Sequence, residues 1–192
     1  MPREVDHDAT GPYALTSEDI DPEKGDIAVC RCGLSPEFPF CDGTHRVTEG
    51  EDPDTVYRYP DGPDGDRRVV EAVRTADATA SGDDGSAPPP GEHPGDSDAS
   101  STCGSRLITH EARRPVFIDP EDLEAAGGRI EICLCGLSAD GARCDDSHAA
   151  CADERPSARY RYEGDDADDR RVVTEIEFAD GGAEARDGDA ED

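Results

Sequence analysis

The sequence predicts a small β-rich α+β fold made of two copies of one unit, packed against each other across a disordered acidic linker. Three observations carry this. The chain overlays itself without a gap when shifted by 103 residues. Its apolar residues fall in short alternating runs instead of long helical stripes. A stretch of Gly, Pro, Ser, Ala and Asp separates the two copies.

In the overlay, Cys30, Cys32, Cys41 and His45 fall on Cys133, Cys135, Cys144 and His148. Pro12 falls on Pro115 and Leu15 on Ile118, and both copies share "YRY" (57–59 and 160–162) and "DRRVV" (66–70 and 169–173). A constant offset over that length marks an internal duplication. The repeats are placed at 11–75 and 114–178, with a flexible acidic linker over 76–113 and a disordered acidic tail over 179–192.

Within each copy the elements are short. "YALT" and "VFI" read as strands. "DPEDLEAAGG" (119–128) reads as a turn or two of helix, with Asp119 as cap, Pro120 at the first position and Gly127 at the end. "DIAVC" and "RIEIC" alternate and lead as strands into the cysteines. "VYRY" with "RRVVEAV", and "ARYRY" with "RRVVTEIEF", read as hairpins. One copy leaves Val69, Val70 and Val73 in need of a partner surface, and the other offers Val172, Val173, Ile176 and Phe178. A unit of this size is marginal on core burial alone, so a metal or pairing with the second copy would help to stabilise it.

Composition narrows the function. The formal net charge is −29, and the nineteen basic residues are eighteen arginines and Lys24. Such acidity suits concentrated salt, which screens carboxylate repulsion. It opposes nucleic acid and anionic membranes as partners, because both require basic patches. No apolar run approaches the ~20 residues that span a bilayer, and the N-terminus lacks a signal-peptide core. The expectation is a cytoplasmic protein of a halophile, with thiols that bind metal or stay reduced. Cys103 and Cys151 are read as free thiols, and His7, His93 and His110 as solvated histidines near flexible segments.

Each copy reads C-x-C-x8-C-x3-H. Three thiolates and one imidazole suit either a structural zinc ion or a [2Fe–2S] cluster, which takes two protein ligands on each iron. The one-residue gap is tight for a zinc hairpin. It suits two thiolates on one iron, with the third cysteine and the histidine on the other. Both readings stay open on spacing.

"CRCGLSPEFPFCDGTH" (30–45) closely resembles the signature of the CDGSH iron–sulfur, or NEET, family, through Cys30, Cys32, Ser35, Pro39, Cys41, Asp42, Gly43, Thr44 and His45. The second copy keeps Cys133, Cys135, Ser138, Cys144, Asp145, Ser147 and His148, with Ala142 in place of the proline and Asp146 in place of the glycine. Asp tolerates a left-handed backbone better than most residues. The resemblance implies a tandem protein, with two repeats as an intramolecular pseudo-dimer that binds two [2Fe–2S] clusters. Ser35 and Ser138 are then candidates to hydrogen-bond cluster sulfur, and Asp42 and Asp145 to cap the backbone presenting each histidine; the other reading of all four is ordinary turn chemistry. The expected role is electron or cluster transfer, or redox sensing, with an unidentified redox partner or cluster acceptor protein. The protein is expected to be a monomer and not an enzyme.

Overall fold

The computed structural model describes residues 2–77, 104–155, 158–163 and 169–185. Eleven strands are present among them: β1 (Arg3–His7), β2 (Tyr13–Thr16), β3 (Ile27–Val29), β4 (Tyr57–Arg58), β5 (Arg68–Asp77), β6 (Ser105–His110), β7 (Val116–Ile118), β8 (Arg129–Ile132), β9 (Arg159–Tyr162), β10 (Arg170–Phe178) and β11 (Ala183–Ala185). One short helix, α1 (Pro120–Ala125), and two 3₁₀ turns at Thr44–Thr48 and Ser147–Cys151 complete the set. The β-rich class is as the sequence predicts.

The main sheet runs β11-β10-β5-β4-β1-β6-β9, and β9 also pairs with β10, which closes six of its strands into a barrel. Two small two-stranded sheets, β2 with β8 and β3 with β7, lie beside it in the topology. Their pairing crosses between the halves. Leu15 lies opposite Ile130, and Ile27 opposite Ile118. Those two register pairs are the same pair displaced by 103 residues. The parallel pairings Arg3↔Tyr57 and Arg106↔Tyr160 repeat in the same way.

The alternation seen in the sequence places the core. Leu15, Ile20 and Val29 pack with Ile118, Leu123, Ile130, Ile132 and Ala142 in one buried cluster drawn from both halves. Helix α1 contributes Leu123 to it, and its start is fixed by the Asp119–Asp122 capping box with Pro120 behind. The expected partner surfaces meet in part: Val70 and Val73 pack on Val173, Ile176 and Phe178. Val69 instead stays 37% exposed, and Val172 packs with Ala158 and Tyr160.

Three expectations are corrected. The linker assigned to 76–113 is too long, because β5 runs to Asp77 and β6 occupies Ser105–His110. The tail assigned from 179 begins too early, because β11 pairs with β10 and its Glu184 holds Arg58 at 2.7 Å. The stretch before residue 11 is β1, which pairs antiparallel with β6 along its whole length. These strands escape hydropathy because several of their inward residues are charged. Arg3 and Arg106 are both fully buried.

Each buried arginine has its own carboxylate. Arg3 meets Glu51 at 2.7 Å and Arg106 meets Glu154 at 2.5 Å, with all four side chains at zero exposure. Tyr59 and Tyr162 donate to those same glutamates at 2.9 and 2.8 Å. Breaking such a pair strands a charge in low dielectric, which costs more than the intact pair contributes. Glu154→Gln should therefore lower the unfolding free energy by about 3–5 kcal/mol, read by urea denaturation in molar salt. Arg106→Met combined with Glu154→Leu should recover most of that loss.

Candidate metal centres

Each candidate centre begins where a strand ends. β3 delivers Cys30 and Cys32, and β8 delivers Cys133 and Cys135. The chain then turns back and bridges its own strand: Val29 pairs with Phe40, and Ile132 with Arg143. Cys30 donates its N–H to Pro39 O at 2.7 Å, and Cys41 donates to Ala28 O at 2.8 Å. In the second half, Cys133 donates to Ala142 O at 2.9 Å and Cys144 to Glu131 O at 2.8 Å. The acceptor is a backbone carbonyl, so replacing Pro39 by Ala142 leaves the bond in place.

Within each centre the side chains form two pairs. Cys30 Sγ lies 3.6 Å from Cys32 Sγ, and Cys133 Sγ lies 3.5 Å from Cys135 Sγ. Cys41 Sγ lies 3.2 Å from His45 Nδ1, and Cys144 Sγ lies 3.2 Å from His148 Nδ1. Two thiolates on one tetrahedral metal, each about 2.3 Å from it, stand roughly 3.8 Å apart. The sulfur pairs thus have the span of shared ligands, and the donor set of soft sulfur and imidazole fits iron or zinc. All four cysteines of the C-x-C segments are buried, while Cys41 and Cys144 are half-buried.

The histidine end depends on a left-handed residue. Gly43 has φ 95° ahead of the first 3₁₀ turn, and Asp146 has φ 70° ahead of the second. The aspartate thus occupies the conformation for which glycine is suited, and both turns form. Asp42 accepts from Thr44 N at 2.9 Å and Asp145 from Ser147 N at 3.1 Å. These bonds hold Asp145 down to about 2, the Ser147 hydroxyl contributing most. Ser35 and Ser138 accept from the backbone N–H of Glu37 and Asp140, and Ser138 donates to Arg143 O. The two serines therefore act as turn formers, and the Ser138 hydrogen is directed at a carbonyl and not at sulfur.

The sulfur pairs share hydrogens. Their mutual contact and burial move the two thiols of the first pair apart, one down and one up. Burial pushes Cys41 and Cys144 up. Cys151 is fully buried against Cys133 and Cys135, at the place Thr48 takes in the first half. It is a free thiol among the described residues, as Cys103 is expected to be; Cys103 and His93 lie outside them.

The reading of His7 and His110 as solvated is overturned. Burial holds His7 down to about 3 and His110 to about 4. Their rings meet at 2.7 Å, Nε2 to Nε2. His7 Nδ1 lies 3.2 Å from Leu134 O, and His110 Nδ1 lies 3.1 Å from Arg31 O. Sequence reasoning missed them together with Arg3 and Arg106, although the signal was present. "REVDH" and "RLITH" place Arg and His with the same spacing at the same 103-residue offset, ahead of the assigned repeat starts.

The family model described as iron-binding zinc finger, CDGSH type, matches residues 6–46, which include Cys30, Cys32, Cys41 and His45. No curated protein and no solved structure matches the chain. The match likens residues 6–46 to an iron-binding domain of CDGSH type. The loop of that domain is closely fitted. A Cβ on Gly33, at φ +77°, would stand 2.7 Å from His110 Cδ2. Gly33→Ala should cost about 1–3 kcal/mol from backbone strain alone. It should also move the His110 resonances in a histidine-labelled sample, and an unmoved His110 would show that the loop relaxes freely.

Proposed function

We propose that the chain binds two [2Fe–2S] clusters, one on Cys30, Cys32, Cys41 and His45, the other on Cys133, Cys135, Cys144 and His148. The observation that carries this is the separation of each donor set into a sulfur–sulfur pair and a sulfur–nitrogen pair. Among the described residues, one group of three candidate donors has all its ligand atoms within 4.8 Å of one another, and that group is Cys144, Asp146 and His148. No three of the four donors of either centre do. A single tetrahedral zinc ion would draw all four within about 4 Å of one another, whereas two metals with one pair each need not. The CDGSH-type match supports iron.

Bound there, a [2Fe–2S] centre would supply one-electron exchange. The residues supply the rest. The cysteines bring negative charge into a buried site, and the imidazole brings none, which raises the potential relative to an all-thiolate set. An imidazole donor also competes for protons where thiolates on metal hold, so its end of the site opens first in acid. The crossed pairing of β2 with β8 and β3 with β7 supports an intramolecular pseudo-dimer that is a monomer in solution. We read the chain as a carrier of electrons or clusters, or a redox sensor, serving a redox partner or acceptor protein, and not as an enzyme. Its acidity suits the salt-rich cytoplasm of a halophile. No helix among the described residues is long and apolar enough to cross a membrane.

Protein purified without oxygen should be red and bleach on reduction with dithionite, with four irons and four acid-labile sulfides per chain. A colourless protein with stoichiometric zinc would overturn the reading in favour of a structural Cys₃His module. His45→Cys should slow loss of visible absorbance at the first centre below neutral pH, followed in a stopped-flow acid jump. Asp146 places a carboxylate within 4.8 Å of the Cys144 and His148 donors. Asp146→Gly should therefore raise the reduction potential of the second centre and leave the first unchanged, measured by spectroelectrochemical titration.

A further inference from the structure

The cleft beside His45 is unlike the rest of this acidic surface. It measures about 550 Å³, and Arg46, Arg113, Arg114 and Phe117 line it together with His45 and Glu49. Other exposed arginines, such as Arg74, Arg129 and Arg171, each hold a carboxylate. Among the described residues, Arg46, Arg113 and Arg114 form no ion pair. Arg67 leans over Tyr57 and donates to the Glu49 and Gly50 carbonyls. It brings a fourth guanidinium with no carboxylate partner among the described residues to the side of Glu49.

Part of this cleft is built into the fold. Arg113 donates to Thr48 O and, at 3.4 Å, to Thr48 Oγ1, and Thr48 Oγ1 donates to His45 O at 2.7 Å. The connection from β6 to β7 is thereby tied to the turn that carries His45. Phe117 stands on β7 opposite Ala28 and is 59% exposed, although its neighbour Ile118 is buried. Nothing comparable surrounds His148. The positions 103 residues from Arg46, Arg113, Arg114 and Phe117 hold Ala149, Thr10, Gly11 and Ala14. Arg170, the counterpart of Arg67, is taken up by Asp153.

We propose that this cleft is a docking face for an acidic protein partner, which sets carboxylates on Arg46, Arg113 and Arg114 and an apolar side chain on Phe117. Charge and residue type select that occupant. A chain of net charge −29 repels an acidic protein over most of its surface. Four guanidinium groups gathered at one cleft therefore fix the orientation of approach. The planar fork of arginine takes both oxygens of a carboxylate, and arginine and aromatic residues carry much of the energy at protein interfaces. Molar salt shortens the screening length to roughly 3 Å. The attraction then acts at contact, where burial of the Phe117 ring adds a part that salt does not screen. This inference rests on the carrier reading, because a partner seated there lies against His45 of the first candidate centre.

The test titrates the full chain, as purified, into a fluorescein-labelled peptide of glutamates flanking one leucine, with anisotropy read in low and in molar salt. The expected result is saturable binding that weakens in molar salt and persists there. Arg46→Gln combined with Arg114→Gln should weaken it about tenfold, the worth of two exposed ion pairs. Phe117→Ala should weaken it by about the same factor through lost apolar contact. All three side chains are exposed, so these variants leave the core intact. Arg129→Gln removes an exposed arginine elsewhere and should leave binding unchanged. No binding by the unmodified chain, an equal loss with Arg129→Gln, or equal binding of a peptide with glutamine in place of glutamate would overturn the proposal. Inorganic phosphate that displaces the peptide at equal concentration would overturn it in favour of a small-anion site. Colour and iron content of the same preparation report separately on the iron–sulfur reading, so a colourless chain that binds the peptide refutes that reading and not the docking face.

Discussion

The structure hangs on the crossed pairing of β2 with β8 and of β3 with β7. Each C-x-C segment follows directly on β3 or β8, and each of those strands finds its edge partner in the other half. A lone repeat would therefore present its cysteines from a strand with no ladder beside it. It would also hold only part of the cluster that joins Leu15 and Val29 to Ile118 and Ile130. A unit of about 65 residues buries too little surface to compensate for that loss. The other half of the same chain provides the missing edge, so the geometry of each candidate centre depends on both halves.

The same constraint explains where the charge goes. In a chain of net charge −29, several arginines are placed inward and not spread on the surface. Arg3, Arg58 and Arg106 are all buried or nearly so, and each meets one or more carboxylates. Arg58 bridges Asp6 and Glu184, which ties β1 and β11 to β4. Arginine suits this use because its planar fork serves two acceptors and remains charged when buried. The polar interior of the β1–β6 ribbon is thus built from charges satisfied in pairs, and on it rest both ligand loops.

The legible part of the fold was the part written in hydropathy and turn chemistry. The strands β2, β3, β7 and β8, both hairpins and the capped helix follow from alternation and from Asp119, Pro120 and Gly127. The grouping of Cys30 with Cys32 and of Cys41 with His45 follows from their spacing in the sequence. The missed elements, β1, β6 and β11, carry arginine, histidine and glutamate where a core strand usually carries valine. Their burial depends on partners far apart in sequence, such as Glu51 for Arg3, which no local window contains. The repeat offset alone could have recovered β1 and β6, because it extends through Arg3 and His7. Turn roles for Ser35 and Ser138 were legible; the commitment of the Ser138 hydrogen to Arg143 O was not.

The two centres share a backbone and differ in what surrounds it. Around the first, Arg46, Arg113 and Arg114 line a cleft with His45 and the 59% exposed Phe117. The positions 103 residues away from those arginines hold Ala149, Thr10 and Gly11. Around the second, Asp146 places a carboxylate oxygen within 4.8 Å of the His148 donor, where the first has Gly43. Cations near a site favour added negative charge, and a carboxylate opposes it. Arg46, Arg113 and Arg114 thus give the His45 side a positive rim that the equivalent positions on the His148 side lack. The two halves match in strand register, and differences at a few surface and turn positions make the surroundings of the two donor sets unequal. A charged partner or ligand would therefore meet different surroundings at His45 and at His148, although the backbone that presents the two histidines is the same.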